Sequence, residues 1–138
     1  MIAVDTSALL AIVFNEPERE TFFTAIREAE GALVSAVSVV EARMVTYSRR
    51  GETGLEILDD ILDVATFEIV SPGLPELEIA HEAFVAYGKG NGHPAGLNFG
   101  DLFSYALAKA RGVPLLYKGD DFARTDVVAA IVPKEKKL

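Results

Sequence analysis

Short apolar runs alternate along this chain with longer stretches of helical periodicity. Ile2-Ala3-Val4 reads as a first strand, and Asp5-Thr6-Ser7 supplies a cap for a helix over residues 8–14. Asn15-Glu16-Pro17 ends that helix and starts another, which runs to about residue 30 before Gly31 stops it. Ala32–Ser35 has the composition of a buried strand. Ser38 then opens a helix ending near Arg50-Gly51, and a further helix covers residues 53–65 with Leu55, Leu58, Ile61 and Leu62 on one face. Phe67–Val70 is a strand, residues 75–87 a helix, and residues 88–100 a glycine-rich loop. A helix over residues 101–111 closes at Gly112. A strand at 113–117, a turn with a short helix at 119–125 and a last strand at 127–132 complete the pattern. Strands alternating with helices predict an α/β fold, a central parallel sheet flanked by helices on both faces. The two helices between the second and third strands exceed what one crossover needs, which predicts a projecting hairpin or interface.

Composition narrows the class. At 138 residues the chain suits one domain, expected over 1–133 with a basic tail at 134–138 carrying Lys134, Lys136 and Lys137. Half of the residues are hydrophobic, which argues against disorder. The absence of cysteine excludes disulfides, thiolate zinc sites and cysteine nucleophiles, and suits a reducing cytoplasm. Residues 1–14 lack the basic start of a signal peptide and carry Asp5 in their middle. No stretch reaches the ~18 apolar residues of a membrane span. The expectation is a soluble cytoplasmic protein with no membrane contact.

Acidic residues carry the candidate chemistry. Asp5, Glu41, Asp101 and Asp121 all stand near helix starts, three of them just after strand-like runs. In a parallel α/β domain these junctions gather at one edge of the sheet. Carboxylates collected there repel one another unless a divalent cation neutralises them. Each also has a simpler reading. Asp5 is placed to cap a helix, and Ser38-Val39-Val40-Glu41 has the form of a capping box. Asp101 also suits a cap, but capping does not explain the long glycine-rich lead-in Gly96-Leu97-Asn98-Phe99-Gly100. Asp120 and Asp126 stand in reserve for Asp121. Ser7 is a hydroxyl suited to orienting Asp5 or a metal-bound water, and the serine there removes the DxD pattern of an aspartate phosphoryl nucleophile. Hard carboxylate oxygens suit Mg²⁺ or Mn²⁺, and two histidines in the whole chain disfavour zinc. His81 is expected on a solvated helix face. With no histidine pair, acid–base cleavage of the ribonuclease A kind is not expected. A net charge of −8 opposes general capture of nucleic acid, so a local basic rim is required. Candidates are Arg43, Arg49 and Arg50, with Lys89, His93 and Lys118 as substrate contacts and Tyr87 or Tyr117 as stacking surfaces.

The stretches Met1 to Leu9, Ser38-Val39-Val40-Glu41, Leu97 to Ala108 and Leu115 to Phe122 resemble a PIN domain. The resemblance spans nearly the whole chain and is greatest to the VapC toxins of VapBC toxin–antitoxin systems. It implies a three-layer sandwich, Mg²⁺-dependent endoribonuclease activity with Mn²⁺ as an alternative, homodimerisation and a VapB-like antitoxin partner. Matched residue by residue, Asp5, Glu41 and Asp101 are the core acids, with Asp5 and Asp101 as metal ligands and Asn98 in support. Many PIN domains place the fourth acid three residues before the phenylalanine, where this chain has Gly119, so Asp121 would take over and its role is open. The expected reaction is cleavage of RNA by metal-activated water, leaving 3′-hydroxyl and 5′-phosphate ends. A structured RNA such as a tRNA is the expected target. Two competing readings are another metal-dependent phosphohydrolase and a catalytically weak scaffold acting through antitoxin binding.

Overall fold

A computed structural model describes residues 1–64 and 67–131. The expected tail at 134–138, with Lys134, Lys136 and Lys137, lies outside the described residues, as do Val132 at the end of the last expected strand and Ala65 at the end of a helix. Four strands form one parallel sheet in the order β3-β2-β1-β4: β1 (Ile2–Val4), β2 (Ala32–Ser35), β3 (Phe67–Val70) and β4 (Leu115–Leu116). Helices α1 (Thr6–Val13) and α2 (Arg19–Glu28) connect β1 to β2, and α3 (Ala36–Val64) connects β2 to β3. Helices α4 (Leu74–Tyr87) and α5 (Phe99–Arg111) carry the chain from β3 back across to β4.

Strand periodicity sorts the core into two faces. Ala3, Leu33, Val70 and Leu115 point to one side and pack with Ala80, Ala83, Leu102, Tyr105 and Leu107 of α4 and α5. Val4, Ala32, Val34 and Leu116 point to the other, against Leu9, Ile12, Phe22, Ile26, Leu58 and Ile61 of α1, α2 and α3. Fully burying each Leu or Ile contributes ~1.5–3 kcal/mol, so both helical layers are needed to hold so short a sheet. The three-layer α/β architecture is the expected one.

Several element boundaries differ from expectation. Helix α3 begins at Ala36, not Ser38, because the Ser35 hydroxyl accepts a hydrogen bond from the Val37 N–H at 3.2 Å. The two helices expected within it are joined at Gly51, whose φ of 61° and ψ of −151° interrupt the helix. Helix α5 begins at Phe99 with Asn98 as its cap, so Asp101 lies inside the first turn. Strand β4 is two residues long. Among the described residues of the last expected strand there is a single parallel bridge, Leu115 to Ala129, extending the sheet beside β4. Here the chain arrives from the 3₁₀ turn Phe122–Arg124, and two backbone bonds fix it to β4: Leu115 N–H donates to Val128 O at 2.8 Å and Ala130 N–H to Leu115 O at 2.9 Å.

β1 lies centrally, and the chain leaves it toward β2 on one side but reaches β4 only after crossing back. The crevice at the carboxyl ends of β1 and β4 is therefore the switch point of the sheet, where open α/β folds form sites.

Candidate active site

Asp5 follows the last residue of β1 and stands at this switch point, 2 % exposed. It caps α1: Oδ2 accepts the Ser7 backbone N–H at 2.9 Å. Its other oxygen, Oδ1, accepts the Ser104 hydroxyl of α5 at 2.5 Å. A hydroxyl does orient Asp5, but it is that of Ser104 and not of Ser7. The Ser7 Oγ instead accepts the Lys118 backbone N–H at 3.0 Å, tying the segment after β4 to α1.

Helix α5 presents Asp101. Its carboxylate Oδ2 accepts the Asn98 N–H at 3.0 Å, while Asn98 Oδ1 accepts the Asp101 N–H at 2.9 Å, a reciprocal capping box. Capping is thus real here, and it coexists with a strongly perturbed charge. The Asp101 pKa is pushed up to about 7, first by burial, then by the negative charge of Asp5, with Glu41 and Asp121 adding to it, while the Asn98 hydrogen bond lowers it. Glu41 reverses the expectation in the other direction. With α3 capped by Ser35, Glu41 lies beyond the first turn and the capping box with Ser38 does not form. Its carboxylate instead lies on the first turn of α5, where a Cβ built on Gly100 would collide with Glu41 Oε2. Only glycine admits the carboxylate there, and the free N–H groups of a helix start favour an anion.

Asp121 is the third charge acting on Asp101 and the fourth acid of the group. It is exposed at the start of the 3₁₀ turn, and its side chain makes no capping bond. Its neighbours go elsewhere. Asp120 is exposed and its charge acts on Tyr117. Asp126 accepts the Tyr105 hydroxyl and pairs with Lys109 Nζ at 3.1 Å. Burial and Asp126 together raise the Tyr105 pKa, and the Tyr105 hydrogen bond holds Asp126 below its ordinary value.

Among the described residues, most side chains of the expected basic rim are engaged with other groups of the chain, and Lys134, Lys136 and Lys137 lie outside the described residues. Arg43 pairs with Asp59 at 2.6 Å, and Arg49 and Arg50 lie over the Phe14 ring. Lys118 Nζ hydrogen-bonds Glu16 and ion-pairs with Glu18, each at 2.9 Å, and these contacts raise its pKa. His93 holds its own loop: Nδ1 accepts the Ala95 N–H at 3.0 Å and the ring meets Tyr87 edge-on at 5.0 Å. Tyr87 and Tyr117 are half-buried against Tyr105 and Phe122, leaving neither as an open stacking platform. Lys89 is exposed, and His81 is on the solvated face as expected.

Whether the acids suit a cation follows from their chemistry. All are hard oxygen donors, and their mutual repulsion is visible in Asp101. Among the described residues no three acidic or histidine side chains form a ready metal cage. Mg²⁺ does not need one, since it commonly takes one or two carboxylates and keeps several waters. The donor set fits.

Residues 2–128 match the PIN domain family. Ribonuclease VapC30 of Mycobacterium tuberculosis is 42% identical over 132 residues, covering 96% of this chain and 100% of that protein. The chain belongs to the VapC ribonucleases of the PIN-domain family. Ribonuclease VapC of Mycolicibacterium smegmatis is 44% identical over 93% of this chain and 98% of its own. Among solved structures, the fold is similar to M. tuberculosis VapC20, a Sarcin-Ricin loop cleaving toxin, with a TM-score of 0.76 at 18% identity, covering 96% of this chain and 100% of that one. It is also similar to VapBC2 of Rickettsia felis, solved with a promoter DNA fragment, with a TM-score of 0.74 at 15% identity over 94% and 96% of the two chains. No described helix is long and apolar enough to cross a membrane.

Proposed function

We propose that this VapC chain is a Mg²⁺-dependent endoribonuclease, the toxin of a VapBC-type pair, with Asp5, Glu41, Asp101 and Asp121 as its working acids. The observation that carries this reading is the Asp101 carboxyl, held at about 7 by burial together with Asp5, Glu41 and Asp121. Such a group of like charges costs stability unless a cation joins it. Asp5 and Asp101 would hold the ion, with Mn²⁺ able to replace Mg²⁺. When bound, the ion supplies positive charge at the phosphate and a more acidic water for in-line attack. Asp5 is gripped through both oxygens, so it offers a carboxylate of fixed orientation. Glu41 and Asp121, whose charges act on Asp101, would orient the water and accept its proton. Water as nucleophile leaves 3′-hydroxyl and 5′-phosphate ends.

A single structured RNA, a tRNA in first place, is the proposed target, because an acidic surface captures RNA weakly. Lys89 is the exposed cation available to the substrate. Lys118 and His93 act in the free protein by holding the loops around the site. A VapB-like antitoxin would silence the toxin through a groove of about 400 Å³ beside Glu41, lined by Val37, Val40, Met44, Val45 and Phe99. An amphipathic segment fits such a groove, and a basic side chain from it would neutralise the acids. The same reading includes a homodimer, a cytoplasmic setting, and one domain over 1–133 followed by a basic tail.

Induced expression without antitoxin should arrest bacterial growth, and Asp5→Asn or Asp101→Asn should abolish the arrest at matched soluble levels. Purified protein should cut RNA with Mg²⁺ and stop on chelation. Equal toxicity of wild type and both variants would refute this reading.

A further inference from the structure

Beneath the acids, two buried hydroxyls join the helices that carry them. Ser104 Oγ lies 2.5 Å from Asp5 Oδ1, and Ser38 Oγ lies 3.0 Å from Ser104 Oγ. Ser38 and Ser104 are 0 % and 1 % exposed. The direction of this chain follows from its donors. An ionised carboxylate only accepts, so the single Ser104 proton goes to Asp5, and Ser38 must then donate to Ser104. Sequence spacing gives the arrangement its purpose. Ser38 precedes Glu41 by three positions on α3, and Ser104 follows Asp101 by three on α5. Residues three apart share a helix face. Each helix therefore brings an acid to the site and a hydroxyl to the layer below it. Thr6, next to Asp5, adds a bond from its Oγ1 to the Ser38 carbonyl at 3.2 Å, fixing the same turn of α3.

We propose that Ser38 and Ser104 are positioning residues of the acid site, a directional relay from Ser38 through Ser104 to Asp5. The relay holds the Asp5 carboxylate in one orientation and sets the spacing of α3 and α5, so that Glu41 and Asp101 stay beside Asp5 against their repulsion. Ser104 acts directly on Asp5. Ser38 acts through Ser104, by polarising its hydroxyl. This role rests on the nuclease reading above, but the relay itself has a signature independent of metal and of activity.

The experiment compares wild type with Ser104→Ala, Ser38→Ala and the double variant in three measurements. The first is the ¹³C shift of the Asp5 carboxyl in metal-free protein at fixed neutral pH. It should move in Ser104→Ala, move less in Ser38→Ala, and be the same in the double variant as in Ser104→Ala. The second is Mn²⁺ affinity by calorimetry, which should fall on the order of 10-fold in Ser104→Ala, the scale of lost support to a metal ligand. Ser38→Ala should cost less, and nothing further once Ser104 is gone. The third is RNA cleavage, where kcat should fall with KM nearly unchanged. An Asp5 signal indifferent to Ser104→Ala overturns the relay, and so do fully additive effects of the two substitutions. A moved Asp5 signal with wild-type Mn²⁺ affinity and cleavage overturns the positioning role. If wild type itself neither binds Mn²⁺ nor cuts RNA, the nuclease reading and the positioning role fall together, and the Asp5 signal still decides whether the relay exists.

Discussion

Asp101 serves two ends with one carboxylate, capping α5 and contributing charge to the acid group. Its pKa has moved from 3.8 to about 7, so the folded protein keeps a proton that the unfolded chain releases. Stability from this group is therefore fully present below about pH 4 and is lost as pH rises through about 7. Asp101→Asn keeps an acceptor for the Asn98 N–H and removes the charge. Without metal, the variant should melt above wild type at pH 8 and level with it at pH 4. Solvent screening at this half-buried position limits the relief to ~1 kcal/mol, or roughly 2–4 °C. Mg²⁺ should raise the wild-type midpoint more than the variant's; identical melting at pH 8 and equal metal shifts would mean that the acids act singly. Gly100 permits a second test. In Gly100→Ala the added carbon meets the far end of the flexible Glu41 side chain, which swings away at little cost. Alanine also favours the helix. The melting point should hold or rise while RNA cleavage falls by ~10-fold, matching Glu41→Gln. Full activity in Gly100→Ala would remove Glu41 from the site.

At the scale of elements, α3 decides most. Its start at Ala36, capped by Ser35, places Glu41 over Gly100 and sends Ser38 into the interior. Ser35→Ala should cost about 1 kcal/mol in chemical denaturation, the ordinary worth of a serine cap. At the other end of the first arm, Gly51 adopts a positive φ with open space around it, so only backbone strain opposes a side chain. Gly51→Ala should destabilise by roughly 1–3 kcal/mol, because this φ/ψ pair is in practice open to glycine alone. A neutral Gly51→Ala would show that the second arm, with Leu58 and Ile61 in the core, docks at another angle without loss. Two residues of β4 suffice because both are buried and Asp5 N–H extends the pairing to the Leu116 carbonyl at 2.9 Å.

Across the whole molecule, the site stands where the strand order reverses, and side-chain clamps close its flanks. Lys118 joins the segment after β4 to Glu16 and Glu18, and Asp126 joins the last described segment to Tyr105 and Lys109. Removing the tyrosine hydroxyl should loosen that last segment. In Tyr105→Phe, the Ala130 amide, which bonds to the Leu115 carbonyl, should exchange with solvent several-fold faster while amides of β1 and β2 are unchanged. Unchanged exchange at Ala130 would assign the hold to the Leu115 bridge alone. Because Asp126 lies below its ordinary pKa, its contribution is present at neutral pH and fades as pH falls below about 4. The exposed face of α4, with Leu74 74% and Val85 63% exposed, has no partner among the described residues.

Periodicity alone determined the order of strands and helices, because a buried parallel strand and an amphipathic helix each write a local pattern. It also marked the four acids, since helix starts and strand ends are local events. What a single stretch of chain cannot express is a choice between two partners. Ser35 and Ser38 are equally good caps by composition, and only the packing of α3 on α5 sends one to the backbone and the other to Ser104. Ser7 and Ser104 are likewise interchangeable on paper, and the sole hint was a serine on the buried face of an apolar helix. Arg43, Lys118 and His93 read as a rim because their charge is visible in sequence while Asp59, Glu16 and Tyr87 beside them are not. Residues 127–132 have a strand's composition, yet among the described residues of that segment only one bridge forms, because β4 offers two residues to pair with. The sequence named the acids; their neighbourhood, and the charge that Asp101 carries in it, exist only once the sheet brings β1, α3 and α5 together.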